Sequence, residues 1–140
     1  PKALEQVRLL SNLETEKDKL LQIVLVGQPQ LNQKINLFEL RQLQQRIIVR
    51  YHITPLDKNE TVSYINYRLN TAGSTDRIKF TDEALQVIFN FSYGTPRLVN
   101  IICDRSLLAV FSAETDTIDL NIINRCIEEL SYYSAEQKTK

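Results

Sequence analysis

This chain of 140 residues contains no methionine, only two cysteines and a single histidine. One histidine and two distant cysteines cannot supply the four clustered ligands of a structural zinc site, so no metal centre is expected. No secretory leader pattern opens the chain, and Cys103 and Cys126 therefore read as reduced, buried thiols of a cytosolic protein. No run approaches the ~20 apolar residues that a membrane-spanning helix needs. Net charge is absent too: Lys and Arg total 17, as do Asp and Glu, so nothing global advertises nucleic acid or a membrane surface. Glycine is scarce, with three residues. No G-x-x-x-x-G-K-[ST] loop exists to cradle phosphates, and no apolar run ends in Asp-Glu to hold magnesium. Pro1 and the missing methionine lead to the expectation of a piece excised from a longer protein.

What is present can bury one modest core or two small ones, since 43% of the residues are hydrophobic. The charge balance hides an asymmetry. Basic residues outnumber acidic ones by 8 to 5 in positions 1–54, whereas acidic residues lead by 12 to 9 in 55–140. That fits a phosphate-facing piece joined to an acidic one, and it equally fits ordinary scatter. Ala3, Leu4, Val7, Leu10 and Leu13 recur at helical spacing. Leu20 to Val26 is short, β-branched and nearly all apolar, the pattern of a strand covered on both faces of a parallel sheet. Gly27 ends it, and Pro29 suits the first turn of a short helix from Gln30 to Asn36. Residues 37–45 form a further amphipathic turn or two, and Ile47 to Ile53 reads as a second strand. Thr54-Pro55 marks the expected domain boundary.

From Pro55 onward every segment reads as helix. Asp57 with Glu60 can cap a helix running to about Ala72, with Val62, Ile65 and Leu69 inward. Gly73-Ser74-Thr75 closes it. Thr81 caps the next, whose inner residues are Leu85, Ile88 and Phe89. Thr95-Pro96 opens a long helix, and Asp119 caps a last one that reaches Tyr133. Residues 134–140 have nothing to bury and are expected to be a loose tail.

Three polar signals could carry chemistry. Gln28 follows directly on the first strand, where ligands of open α/β sheets gather and where a side chain can hold an attacking water or touch a phosphate. The alternative is a cap on a surface turn before Pro29. Arg46 stands at a helix-to-strand junction with Arg41 five residues earlier; its fork of donors suits phosphoryl oxygens on a neighbouring subunit. The alternative is a surface arginine paired with Glu39. Arg97 lies in the first helical turn after Gly94-Thr95-Pro96, where the helix dipole disfavours a cation, so a role in binding an anion there is worth seeking. A loose surface arginine is the other reading.

The order of these signals, together with four blocks of sequence, resembles one family. The blocks are Leu4 to Thr15, Gln22-Ile23-Val24-Leu25-Val26-Gly27-Gln28-Pro29, Glu39 to Ile47, and Gly94-Thr95-Pro96-Arg97-Leu98-Val99-Asn100 with Cys103-Asp104-Arg105. They look like the AAA+ ATPases of the general secretion pathway component-A group, which includes ATPases of mannose-sensitive haemagglutinin (type IV) pilus biogenesis. The resemblance covers nearly the whole chain. It implies the C-terminal part of such a protein: an α/β remnant of the nucleotide-binding domain in 1–54, with two parallel-sheet strands plus helices, then an all-α lid in 55–133.

Carried over by position, Gln28 would be sensor 1, Arg46 the arginine finger with Arg41 as runner-up, and Arg97 sensor 2, presented by Gly94 and Pro96. The parent would use ATP and Mg2+ to drive assembly of a secretion or pilus apparatus. It would work as an AAA+ oligomer in the cytoplasm beside inner-membrane assembly proteins, with any membrane association coming through missing regions or partners. This piece departs from the family pattern by lacking both Walker motifs, so it is expected to bind no cofactor and to be inactive alone. Two other readings stay open: an AAA+ regulator of DNA transposition, against which the neutral charge weighs, and a non-catalytic helical interaction module in which Gly-Thr-Pro-Arg is a mere cap.

Overall fold

The computed structural model describes residues 2–10, 21–74 and 77–136. It divides into two compact units, Pro1–His52 and Ile53–Lys140. The described residues form seven α-helices, one 3-10 turn and one two-stranded parallel ladder, a mostly helical chain with a small α/β element.

The first unit is small. Helix α1 (Lys2–Leu10) pairs Arg8 with Glu5 at 2.6 Å, an i,i+3 contact on one face. Leu4 and Val7 are half-buried, but Leu10 is exposed, and Leu13 lies outside the described residues. Helix α2 (Gln30–Ile35) follows Pro29, whose φ of −51° already suits a helical turn. A 3-10 turn (Phe38–Leu40) leads into α3 (Arg41–Arg46). Ile35, Leu40 and Leu43 are the buried apolar residues here, and α1 and α2 both pack against α3.

The two strands expected in this unit are not formed. Residues 21–28 and 47–53 carry no strand, and among the described residues neither segment joins a sheet; Leu20 lies outside them. Val24, Val26, Ile48, Val49, Tyr51 and Ile53 are all more than four-fifths exposed. The residue types suit a covered strand, but a strand exists only through bonds to its neighbours, and these segments have none to pair with among the described residues.

In the second unit local signals carry further. Helix α4 (Lys58–Thr71) opens on a complete capping box: Glu60 N–H donates to Asp57 Oδ1 at 2.8 Å, and Asp57 N–H donates to Glu60 Oε2 at 2.9 Å. Thr81 Oγ1 accepts from Ala84 N–H to start α5 (Asp82–Ser92). Helix α6 (Pro96–Ser112) has Pro96 in its first turn, and Asp119 Oδ1 accepts from Ile122 N–H at the head of α7 (Leu120–Glu136). Ile65, Ala84, Leu85, Ile88, Val99, Ile102, Val110, Ile118, Ile123 and Cys126 make one core contributed by every helix of the unit. Each buried aliphatic side chain stabilises it by about 1.5–3 kcal/mol.

Two expectations need correction here. The unit is not all-α: β1 (Lys79–Phe80) pairs in parallel with β2 (Thr117–Ile118), Lys79 opposite Thr117 and Phe80 opposite Ile118. Strands of two residues are too short to show any alternation, and what defines them is the crossover through α5 and α6. Helix α7 continues to Glu136, so Ser134, Ala135 and Glu136 are helical rather than part of a loose tail. Residues 137–140 lie outside the described chain.

Candidate functional site

Helix α5 ends with Tyr93 in the left-handed conformation (φ 47°), followed by Gly94 at φ 69°. Two positive φ values in succession reverse the chain tightly into α6. Gly94 is required for a second reason. A Cβ there would sit 1.8 Å from the Leu56 carbonyl oxygen and within 3 Å of the Leu56 carbonyl carbon and nitrogen, all backbone atoms. Both polar groups of Gly94 are used: its N–H donates to Ser92 Oγ at 3.2 Å, and its carbonyl accepts from Leu56 N–H at 2.9 Å. Ser92 is fully buried beneath the turn.

Pro96 then occupies the start of α6, where its missing N–H costs nothing. Arg97 follows, exposed, with no side-chain partner among the described residues. The first turn of α6 has no acidic residue, and Thr95 makes no side-chain cap. A helix start that lacks both a side-chain cap and an acidic neighbour and holds an exposed cation gains nothing in helix stability from that cation. One turn on, Asn100 Oδ1 accepts from the Tyr64 hydroxyl of α4 at 3.1 Å. Arg68 Nη1 donates to the same hydroxyl at 3.2 Å, and its guanidinium stands 5.9 Å from the Tyr64 ring centre. That donated hydrogen bond is the main reason the Tyr64 hydroxyl titrates below its ordinary value.

Gln28, Arg41 and Arg46 belong to the first unit, and Gly94, Pro96 and Arg97 to the second. Gln28 is exposed, and its carbonyl accepts from Leu31 N–H at 2.8 Å, closing the turn into α2. No strand precedes it among the described residues. Arg46 is the last residue of α3 and Arg41 the first, both exposed. At five residues' separation they project about 140° apart around the helix, so one phosphate cannot engage both in the same way. Arg46 at the C-terminal end complements the dipole, an ordinary structural reason for a cation at that place. Beyond α3, Asn36 Oδ1 accepts from Gln44 Nε2 at 2.9 Å and from Arg50 Nη1 at 3.4 Å, which ties the following segment back to the end of α2.

The remaining chemistry is quiet. Burial pushes the Cys103 thiol up to about 12 and raises that of Cys126, so both are protonated at neutral pH and neither is poised as a nucleophile. No group of three or more His, Cys, Asp or Glu side chains gathers as a metal site among the described residues. A groove of about 410 Å³ between α6 and α7 lies along Arg105 to Ser112 on α6 and the capping Ala113, beyond the turn that carries Arg97.

Sequence reasoning missed Leu56, Tyr64 and Ser92 as supports of this turn. Tyr64 and Arg68 at i,i+4 are visible as a pair, but contacts between α4 and α6 leave no local signature.

An exposed arginine without a side-chain partner among the described residues, presented by a Gly-Thr-Pro turn on a helical unit with a short parallel ladder, defines the class of site. No family model matches the chain, and no solved structure matches it. Among curated proteins, General secretion pathway protein A of Aeromonas hydrophila is 47% identical over 131 residues, which is 94% of this chain and 24% of that protein. This chain is similar to that protein over nearly all of its own length and spans about a quarter of the relative's length.

Proposed function

We propose that this chain is part of an AAA+ ATPase that couples ATP hydrolysis to assembly of a secretion or type IV pilus apparatus, and that its part is to read the nucleotide's phosphate. The observation that carries this reading is Arg97, an exposed guanidinium without a partner among the described residues, held in the first turn of α6 by Gly94 and Pro96. The name of the relative supports secretion rather than DNA transposition or a bare interaction module. A solvent-facing arginine fits contact with a phosphate oxygen, as a planar fork of donors.

The chain does not fit the rest of a nucleotide site. It has no glycine loop to wrap a triphosphate and, among the described residues, no carboxylate cluster for magnesium. Arg97 would sense the nucleotide's phosphate as sensor 2, Gln28 would serve as sensor 1, and Arg46 would act as a finger on a neighbouring copy. Cradle and magnesium site would come from other parts of the intact protein. Its partners would be further copies of itself and the assembly proteins of the inner membrane, met from the cytoplasmic side. None of the described helices is long and apolar enough to cross a membrane.

Steady-state phosphate release by this chain with magnesium and ATP tests the division of labour. Background release is expected. Magnesium-dependent turnover abolished by Arg97→Ala would overturn it.

A further inference from the structure

The segment that leads into the second unit is bound to the opening turn of α6 at two points. Leu56 N–H donates to the Gly94 carbonyl at 2.9 Å, and the Leu56 backbone lies where any side chain on residue 94 would have to go. Eight residues later on the same run of chain, the Tyr64 hydroxyl donates to Asn100, which sits three residues beyond Arg97 and so shares its face of α6. Between these two points the chain is stiff. The Asp57–Glu60 capping box follows Leu56 directly, and Thr61, fully buried, donates both its N–H and its hydroxyl to the Asp57 carbonyl at 2.9 and 2.7 Å. Before Leu56 the contrast is sharp: residues 48–55 make no backbone–backbone hydrogen bond among the described residues, and Ile53, Thr54 and Pro55 are exposed.

We propose that Leu56, Tyr64 and Asn100 are positioning residues for Arg97: they clasp Leu56 and α4 to the first turn of α6, so that Arg97 is held in place relative to everything from Leu56 to Tyr64. The clasp stands on hydrogen bonds and close approach alone; what Arg97 touches rests on the function proposed above. Gly94 is the seat of this clasp, because a Cβ at that position would overlap the Leu56 backbone.

Amide hydrogen exchange followed by NMR on the 140-residue chain tests the clasp. The Leu56 amide is expected to exchange roughly a hundredfold more slowly than that of Thr54, which has no acceptor among the described residues. Gly94→Ala removes the clasp outright but endangers the fold, so the milder variants decide. Tyr64→Phe and Asn100→Ala are each expected to speed Leu56 exchange by about tenfold, the effect of one hydrogen bond, while Ile123 in the core is unchanged. Asn100→Asp keeps an acceptor for the tyrosine and is expected to restore slow exchange. Leu56 exchanging as fast as Thr54 in the unaltered chain overturns the proposal, as does an unchanged Leu56 in both Tyr64→Phe and Asn100→Ala. Arg97→Ala is expected to leave Leu56 protected. If that substitution also left the nucleotide affinity of a full-length protein that includes this chain unaltered, the reading of Arg97 would fail and the clasp would stand.

Discussion

The two units of this chain obey different rules. In the second, caps, turns and apolar spacing that are visible residue by residue specify α4 to α7, because a helix closes its hydrogen bonds within itself and needs from outside only a surface on which to bury one face. In the first, the most strand-like residues of the molecule lie exposed and outside any sheet. The same contrast appears in two glycines. A Cβ on Gly94 would strike the Leu56 backbone, whereas on Gly27 it would meet the Leu31 side chain, 2.7 Å from a Cδ that can swing aside. Position 94 is fixed by backbone, and position 27 by something that gives way.

The largest expected effect is on folding itself. Residues 53–140 made alone are expected to keep their helix content and unfold in one cooperative transition, while 1–52 alone gives none, as circular dichroism with urea would read. The exposed strand-like segments should also make the whole chain self-associate with rising concentration, in a way that 53–140 does not. A whole chain that stays monomeric by light scattering at all concentrations would break the contrast.

Next come single core and surface changes. Ile102→Ala, in a fully buried position of α6, is expected to cost about 2–5 kcal/mol. Val49→Ala, in the exposed segment after α3, should fall within about 0.5 kcal/mol. Gly94→Ala belongs with the large effects, on the order of 3 kcal/mol or more from strain and overlap together, and Gly27→Ala with the small. Chemical denaturation of these variants would sharpen the comparison, and equal costs at Ile102 and Val49 would dissolve it.

Much of the second unit is legible in its residues alone. Asp57 and Glu60 announce their capping box, Thr81 and Asp119 their caps, and Gly94-Thr95-Pro96 its turn, because each needs only residues within four positions. The β1–β2 ladder is not legible: its partners are 38 positions apart and two residues long. Neither is the support of Arg97 by Leu56 and Tyr64, which depends on α4 and α6 packing together. The strand reading of 20–26 and 47–53 is right about residue type and wrong about outcome wherever the chain is described, since composition cannot report whether a pairing neighbour is there.

Smaller effects follow. Asp57→Ala removes half of the capping box and should cost about 1 kcal/mol. Cys103 offers a pH signature. Its thiol ionises near its ordinary value of 9.0 in the unfolded chain but is held up to about 12 when folded. Between those limits the unfolded state sheds a proton that the folded state keeps, so this thiol's stabilising contribution is full below pH 9 and lost as pH rises towards 12. Cys103→Ala is expected to flatten the fall in stability over that window by at most about 1.4 kcal/mol per pH unit, the value of one proton.

The proposed function gives Arg46 and Arg97, one in each unit, different duties toward a phosphate. Nucleotide affinity and turnover, measured side by side for Arg46→Ala and Arg97→Ala in a full-length protein that includes this chain, test that proposal most directly. The expected result is a split: Arg46→Ala spares binding and lowers turnover, by about 10³-fold if it is a full arginine finger, while Arg97→Ala weakens binding itself. Two variants that behave alike in both measurements would contradict it.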